Sequence, residues 1–237
     1  MTEERDSAAA PLVTIVTPSL NQGHFIRETI ESVLSQDYPN IEYIVMDGGS
    51  TDDTATVVSE YSDRLEFFSE PDRGQSDAIN KGWRHGHGDI MSWLCADDLL
   101  VPGAVSAVVA EFERCPDTVL VYGDAEVIDR DGGVLNYGHA GRPDVWRLIH
   151  GYDYIQQPAA FARREAIEAV GWVDERLHWG MDWDFFIRIA LHGPTTYLPR
   201  TLAQPRQYDE TKTLSGGRDR FRELVTIMRR YGDARYP

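Results

Sequence analysis

The ten residues MSWLCADDLL, Met91 to Leu100, run from apolar side chains into two adjacent acids, Asp97 and Asp98, and back into apolar ones. Two neighbouring carboxylates in a partly buried place repel each other and resist losing water, so a helix end, a cation or a proton must settle them. Hard oxygen ligands of this kind suit Mg2+ or Mn2+, which take one or two protein carboxylates and complete their shell with water and phosphate oxygens. Such an ion would let an acidic protein hold a diphosphate. The competing reading is a plain helix cap, which the acid pair alone favours. Pro102 suits the first turn of the next helix, and a cap belongs immediately before that turn, so the separation counts against capping.

The elements that must carry these acids follow from periodicity. From Leu12 onward, short β-branched runs alternate with helical patterns: LVTIVT, a helix over Phe25 to Gln36, IEYIVM, then a helix over Asp52 to Tyr61. This is the rhythm of a parallel sheet covered on both faces. Ile26, Ile30, Val33 and Leu34 form one apolar stripe on the first helix. LEFFS and DIMSWLC read as third and fourth strands, so the acid pair falls on a strand-to-helix connection. Open parallel sheets bind ligands beyond the carboxyl ends of their strands, where the polar loops TPSLNQGHF, DGGSTDDT, EPDRGQSD and ADD all lie. The second half is mixed. A hairpin is expected around DRDGG, with helices over Arg163 to Val170, about Asp182 to Leu191 and near Asp219 to Arg230, and a short run TTYLP.

Composition narrows the partners. The 237 residues carry a net charge of -16, which excludes general attraction to nucleic acid. No apolar run approaches a membrane span, and residues 1–11 form an acidic lead-in without the basic start of a secretory signal, so a cytoplasmic protein is expected. Arg218, Arg220, Arg222, Arg229 and Arg230 on the last helix could touch an anionic membrane peripherally, but Phe221, Leu224, Val225 and Met228 give that helix a face for packing on the domain. Cys95 and Cys115 read as reduced structural thiols. Oligomeric state is left open.

The blocks VTIVTPSLNQGHFIRETIESVLSQDYPNIEYIVMDGGSTDDT, EPDRGQSDAINKG and GDIMSWLCADD together resemble the family 2 glycosyltransferases over about Val13 to Asp98. QPAAFARREAIEAVGWVDERL and GMDWDFFIRIALHG extend a weaker resemblance to about Gly193. The resemblance implies an α/β fold of the GT-A type, a Rossmann-like, mainly parallel sheet flanked by helices with a mixed acceptor-side region. It further implies an inverting enzyme with a divalent cation, Mn2+ or Mg2+, and a nucleotide-sugar donor, UDP-sugar favoured. The acceptor would be a sugar, lipid-linked or other hydroxyl in polysaccharide, cell-surface glycan or glycoconjugate synthesis. Residues 12–237 would be one domain, 12–100 its nucleotide half and 101–237 its acceptor half.

Carried onto single residues, the resemblance makes Asp98 the metal ligand and Asp97 a contact to donor sugar or ribose. Thr17, Pro18 and Ser19 fall on the loop that touches base and ribose, Asp47 where the base is read, and Gly74, Gln75 and Asp77 near ribose and diphosphate. Gly48 departs from relatives that carry an acid there; it suits either a tight turn or close backbone approach to a ligand. Tyr208 and Asp209 stand where some relatives have a His, so a third metal contact is unsupported. An inverting transfer needs a base for the acceptor hydroxyl. Asp182 occupies that position, preceded by Met181 where many relatives have Glu, and a capping role competes. Asp184, four residues before Arg188, reads as a helix-surface ion pair. Trp179, Trp183 and His178 are candidate acceptor contacts, with core packing the alternative for the tryptophans.

A nucleotidyltransferase would need a basic, Gly-rich first loop, and TPSLNQGHF has no Lys or Arg before Arg27. A dinucleotide dehydrogenase would need a glycine fingerprint there. A nucleotide-sugar-binding module without transfer is the remaining alternative.

Overall fold

The computed structural model describes residues 10–212, 214 and 216–232, so most of the acidic lead-in lies outside the described residues. The chain opens with β1 (Val13–Ser19), α1 (Ile26–Leu34), β2 (Ile41–Asp47), α2 (Thr54–Ser59), β3 (Glu66–Ser69), α3 (Gln75–His85) and β4 (Ile90–Trp93). β1 pairs in parallel with β2 and β4, and β2 with β3. All seven residues of β1 are buried, as expected of a parallel strand covered on both faces.

After β4 the chain makes the two-residue strand β5 (Leu99–Leu100) and α4 (Ala104–Arg114), then β6 (Leu120–Ile128) and β7 (Val134–Gly138), the expected hairpin. A short helix α5 (Val145–His150), a 3₁₀ turn at Gln157–Ala159, β8 (Ala160–Arg163), α6 (Arg164–Val170), α7 (Met181–His192), β9 (Thr195–Gln204) and α8 (Gly217–Tyr231) complete it. The sheet order is β3-β2-β1-β4-β8-β6-β9-β5, with β7 pairing the end of β6, Ala125 to Ile128, beyond the reach of β8. The architecture is the expected α/β fold of the GT-A type, mainly parallel in its first half.

Five expectations shift. β1 runs on through Ser19, so Thr17, Pro18 and Ser19 are strand rather than loop. Pro18 is tolerated because β4 stops pairing with β1 at Val16, leaving its missing N–H without a ladder partner to fail. The acids lead into β5, not directly into a helix, and Gly103, with φ 74°, rather than Pro102 stands at the start of α4. TTYLP is the start of a ten-residue strand, and β8 inserts antiparallel between β4 and β6. Alternation is weak in β8 because three of its four residues are buried.

The core lies on both sides of the sheet. Trp83, Trp93, Phe185 and Phe186 pack together on one side, linking α3 and α7 across β4. α1, α2 and α4 cover the other. No helix among the described residues is long and apolar enough to cross a membrane.

Candidate active site

β4, buried throughout, delivers the acid pair to the carboxyl edge of the sheet. A tight turn closes with the Asp98 N–H donating to the Cys95 carbonyl at 3.0 Å. Asp98 is buried and Asp97 half-buried; their carboxylate oxygens and the Cys95 Sγ lie within 4.8 Å of one another. The Thr29 hydroxyl donates to the Asp98 carbonyl at 2.9 Å and fixes the turn to α1. Burial pushes both carboxyls above their usual range, and the charge on Asp97 raises Asp98 further. Because β5 follows and a glycine flanks α4, Asp98 caps no helix.

Two residues of the segment after β9 hold the pair. The Arg206 N–H donates to Asp98 Oδ1 at 2.8 Å, and its Nε donates to the Asp97 carbonyl at 2.9 Å. Its other guanidinium nitrogens donate to the Asp129 and Arg130 carbonyls and to Glu28, at 3.3, 2.6 and 2.7 Å. The Tyr208 hydroxyl donates to Asp97 Oδ2 at 2.8 Å. The buried guanidinium therefore ties backbone together without neutralising either carboxylate by direct contact. Two hard oxygen donors with a burden of buried negative charge could hold a divalent cation.

The loop before α3 forms the neighbouring wall. Gly74 has φ 117°, which favours glycine. Gln75 Nε2 donates to Cys95 Sγ at 3.1 Å while its Oε1 accepts from Lys212 Nζ at 2.8 Å, so Gln75 joins α3, the acid turn and the C-terminal segment. Burial lowers the Lys212 pKa, since removing water disfavours its charge.

Several residues expected to contact the donor are engaged within the protein. Thr17 is fully buried and shares a 3.0 Å hydrogen bond with the Tyr43 hydroxyl, and Pro18 is buried in β1. Ser19 differs: its hydroxyl is buried with no partner among the described residues. Asp47 accepts from the N–H groups of Gly49 and Ser50 and from the hydroxyls of Ser50 and Ser69, so its carboxylate shapes the loop. A Cβ at residue 48 would come within 2.5 Å of Asp72 Oδ2, so Gly48 makes room for that carboxylate. Asp77, 3% exposed, accepts from the Arg73 N–H and guanidinium at 3.0 and 2.8 Å, with Lys81 at 3.5 Å; it positions the loop and does not face the cleft as a free acceptor.

Arg73 is the main cause of an Asp77 pKa lowered to about 2. A depressed carboxylate pKa means that folding favours the ionised form. The stabilisation is complete above the unfolded value near ~3.9 and is lost as pH falls through about 2. Arg73 is 74% exposed, so solvent screens the pair and the increment is about 1 kcal/mol. Urea unfolding of Asp77→Asn beside the parent protein should show that deficit at neutral pH and its disappearance toward pH ~2.

α7 supplies the second carboxyl. Asp182 is the second residue of the helix, partly exposed, with Oδ1 accepting the Trp183 N–H at 2.8 Å; Gly180 precedes the helix, so Asp182 is not its cap. Burial raises its pKa, opposed by Lys212 and Arg220. Asp153, on the loop after α5, is held well above the usual carboxylate range by burial and by the Asp182 charge. Glu223 of α8 accepts the N–H groups of His178, Trp179 and Gly180 at 2.8, 2.7 and 2.7 Å and so fixes the approach to α7. His178 is exposed beside this clamp; Trp179 is half-buried, its indole N–H without a partner among the described residues. Trp183 is corrected to core: it is 5% exposed and its indole donates to the Leu148 carbonyl at 2.6 Å.

Asp184 is also corrected. It is fully buried rather than on the helix surface and accepts from Arg188, Arg230 and the Tyr231 hydroxyl at 2.8, 2.6 and 2.7 Å. This carboxylate anchors α8, with Ile227 buried beneath it, although Phe221 points outward at 68% exposure. Asp184→Ala would strand two arginines and is expected to cost about 3 kcal/mol, read as a lowered midpoint in chemical denaturation.

Arg206, Tyr208 and Lys212, with Asp153 and Glu223, are the site residues that pattern reading did not assign to it. Tyr208 stood out only by alignment with a late histidine, and nothing in QPRQYDETKT marks Arg206 as buried.

The profile of glycosyl transferase family 2 matches residues 14–171. An uncharacterized glycosyltransferase of Rickettsia typhi is 28% identical over 222 residues, 88% of this chain and 68% of the relative. A PGL/p-HBAD biosynthesis glycosyltransferase of Mycobacterium bovis is 34% identical over 186 residues, 76% of this chain and 70% of the relative. The chain spans only 35% of a Rickettsia felis relative. Among solved structures, S. aureus TarS in complex with UDP-GlcNAc superposes with a TM-score of 0.75 at 16% identity, over 91% of this chain and 65% of that one. A Pyrobaculum calidifontis mannosyltransferase in complex with GDP-Man and Mn2+ gives 0.70 at 21%, over 97% and 67%. With the profile covering most of its length and the acid pair at the expected sheet edge, this chain belongs to glycosyl transferase family 2.

Proposed function

We propose that the protein transfers a sugar from a nucleotide-diphosphate sugar to an acceptor hydroxyl with inversion, residues 12–100 binding the nucleotide and 101–237 shaping the acceptor side. One observation carries this reading. The carboxylate oxygens of Asp97 and Asp98 lie within 4.8 Å of each other and of the Cys95 Sγ at the carboxyl edge of the sheet, where Gln75 links Cys95 to Lys212. The bound ligands of the two structural neighbours support a nucleotide-sugar donor, and the Mn2+ of one supports a divalent cation. UDP-sugars are favoured.

In this scheme Asp182 accepts the acceptor's hydroxyl proton while the oxygen bonds to the anomeric carbon and the diphosphate departs with the electron pair of the broken C–O bond. A cation held by Asp98 and Asp97 would neutralise charge on that leaving group. Arg206 and Tyr208 hold the acids in place, Gln75 and Lys212 line the same wall, and Glu223 fixes the helix that presents the base. Incubation with Mn2+ and a panel of UDP-, GDP- and dTDP-sugars tests it: slow, metal-dependent release of the nucleoside diphosphate is expected. Donor binding without release would mark a module that has lost transfer, and pyrophosphate chemistry would mark a nucleotidyltransferase.

A further inference from the structure

A cleft of about 690 Å³ opens among α3, α6, α7 and α8, with Arg84, Arg176, Arg188 and Arg230 in its lining. Among the described residues, the acids lining it are Asp174 and Glu175. In a chain of net charge -16, such a concave surplus of arginines is local and specific. Its cations are unevenly engaged. Arg176 and Arg230 pair with Asp174, and Arg230 and Arg188 with the buried Asp184 behind the wall. Glu175 is drawn to Arg73 at 2.7 Å. Arg84 has no carboxylate partner among the described residues and lies over the Trp172 ring, 5.4 Å from its centroid. Arg188 leaves one guanidinium nitrogen buried and without a partner among those residues.

Trp172, which forms part of the wall, has φ 67°, a left-handed conformation that a bulky side chain rarely adopts. Gly171 before it is also left-handed, and both N–H groups close α6 on the Ile167 carbonyl. The turn therefore holds an indole face under the exposed Arg84.

From this arrangement we infer a second ligand site, distinct from the donor cleft, that binds a phosphate-bearing ligand through Arg84 with Arg188 and Arg230 behind it. Guanidinium groups present paired N–H donors that match phosphate oxygens, and an arginine resting on an aromatic ring is held ready for such contact. The ligand is a phosphate ester or diphosphate, drawn either from solution or from a lipid headgroup.

The test uses calorimetry with pyrophosphate in EDTA, so that no cation recruits it to the acid pair, and sedimentation with phosphatidic acid vesicles against neutral phosphatidylcholine vesicles. Wild type is expected to bind at least one probe. Arg84→Ala should weaken that binding about tenfold, equivalent to ~1.4 kcal/mol, and Arg84→Glu should abolish it. Arg84 is exposed, so neither change should disturb the fold, and an unchanged thermal midpoint verifies that. Binding of pyrophosphate alone assigns a soluble ligand, whereas binding of phosphatidic acid vesicles assigns a headgroup. Failure of wild type to bind either probe, or binding that survives Arg84→Glu, overturns the proposal.

Discussion

Asp182→Asn is expected to lower sugar transfer by about a thousandfold while donor affinity stays within about twofold of the parent, because a general base acts on the acceptor proton and contributes nothing to holding the donor. The amide is nearly isosteric and can still accept the Trp183 N–H, so the start of α7 should keep its geometry. Stability supplies an independent sign. Burial raises the Asp182 pKa, so folding favours its neutral form, and the ionised carboxylate destabilises the protein increasingly as pH rises through that raised value. Removing the charge should leave the thermal midpoint at neutral pH equal or higher. A purely structural acid would show the reverse, a lower midpoint with activity lost in proportion. The same shift governs the pH profile: transfer should fall on the acid side as Asp182 takes up a proton, above the pH at which an ordinary aspartate would do so. Turnover at the parental rate in the variant would remove Asp182 from the mechanism.

Asp98→Ala should abolish metal-dependent donor binding, with a loss of at least about a hundredfold, since even outer partners of metal ligands typically cost ten- to a hundredfold. Asp98 is nearly buried and its carboxylate is pushed toward the neutral form by burial and by Asp97, an unfavourable state that a cation would relieve. Titration of Mn2+ and UDP together by calorimetry, compared with UDP in EDTA, separates the metal's contribution from that of the nucleoside contacts. Tyr208→Phe provides the graded control: it removes the 2.8 Å hydrogen bond to Asp97 without touching the ligand itself, and should weaken cation-dependent binding by about tenfold. Retention of full Mn2+ dependence in Asp98→Ala would mean that the cation sits elsewhere.

Much of this framework is legible in the chain because its causes are local. A parallel strand is a short apolar run and its covering helix a stripe at spacings of three and four, so β1 to β4 and α1 to α3 follow from residues that are neighbours in sequence. The acid pair follows likewise: two carboxylates at the end of such a strand must reach the ligand edge of the sheet, whatever the rest of the molecule does. The buried roles of Thr17 and Trp183 were not local. A polar or aromatic residue in a site motif has the same identity whether it faces a ligand or a neighbouring side chain, and only the fold supplies Tyr43 or the Leu148 carbonyl as the partner.

By itself, then, the sequence determined the α/β layering, the edge at which Asp97 and Asp98 emerge and the position of Asp182 at the head of a helix. The tertiary structure alone decided what completes the site. Arg206 reaches Asp98 across 108 residues, Tyr208 reaches Asp97 across 111, and Lys212 reaches Gln75 across 137. Contacts at such separations leave no periodic trace, because they depend on where β9 brings the chain back beside β5 and β6. They are set by the closure of the sheet, a property of the packed molecule and not of any one of its segments.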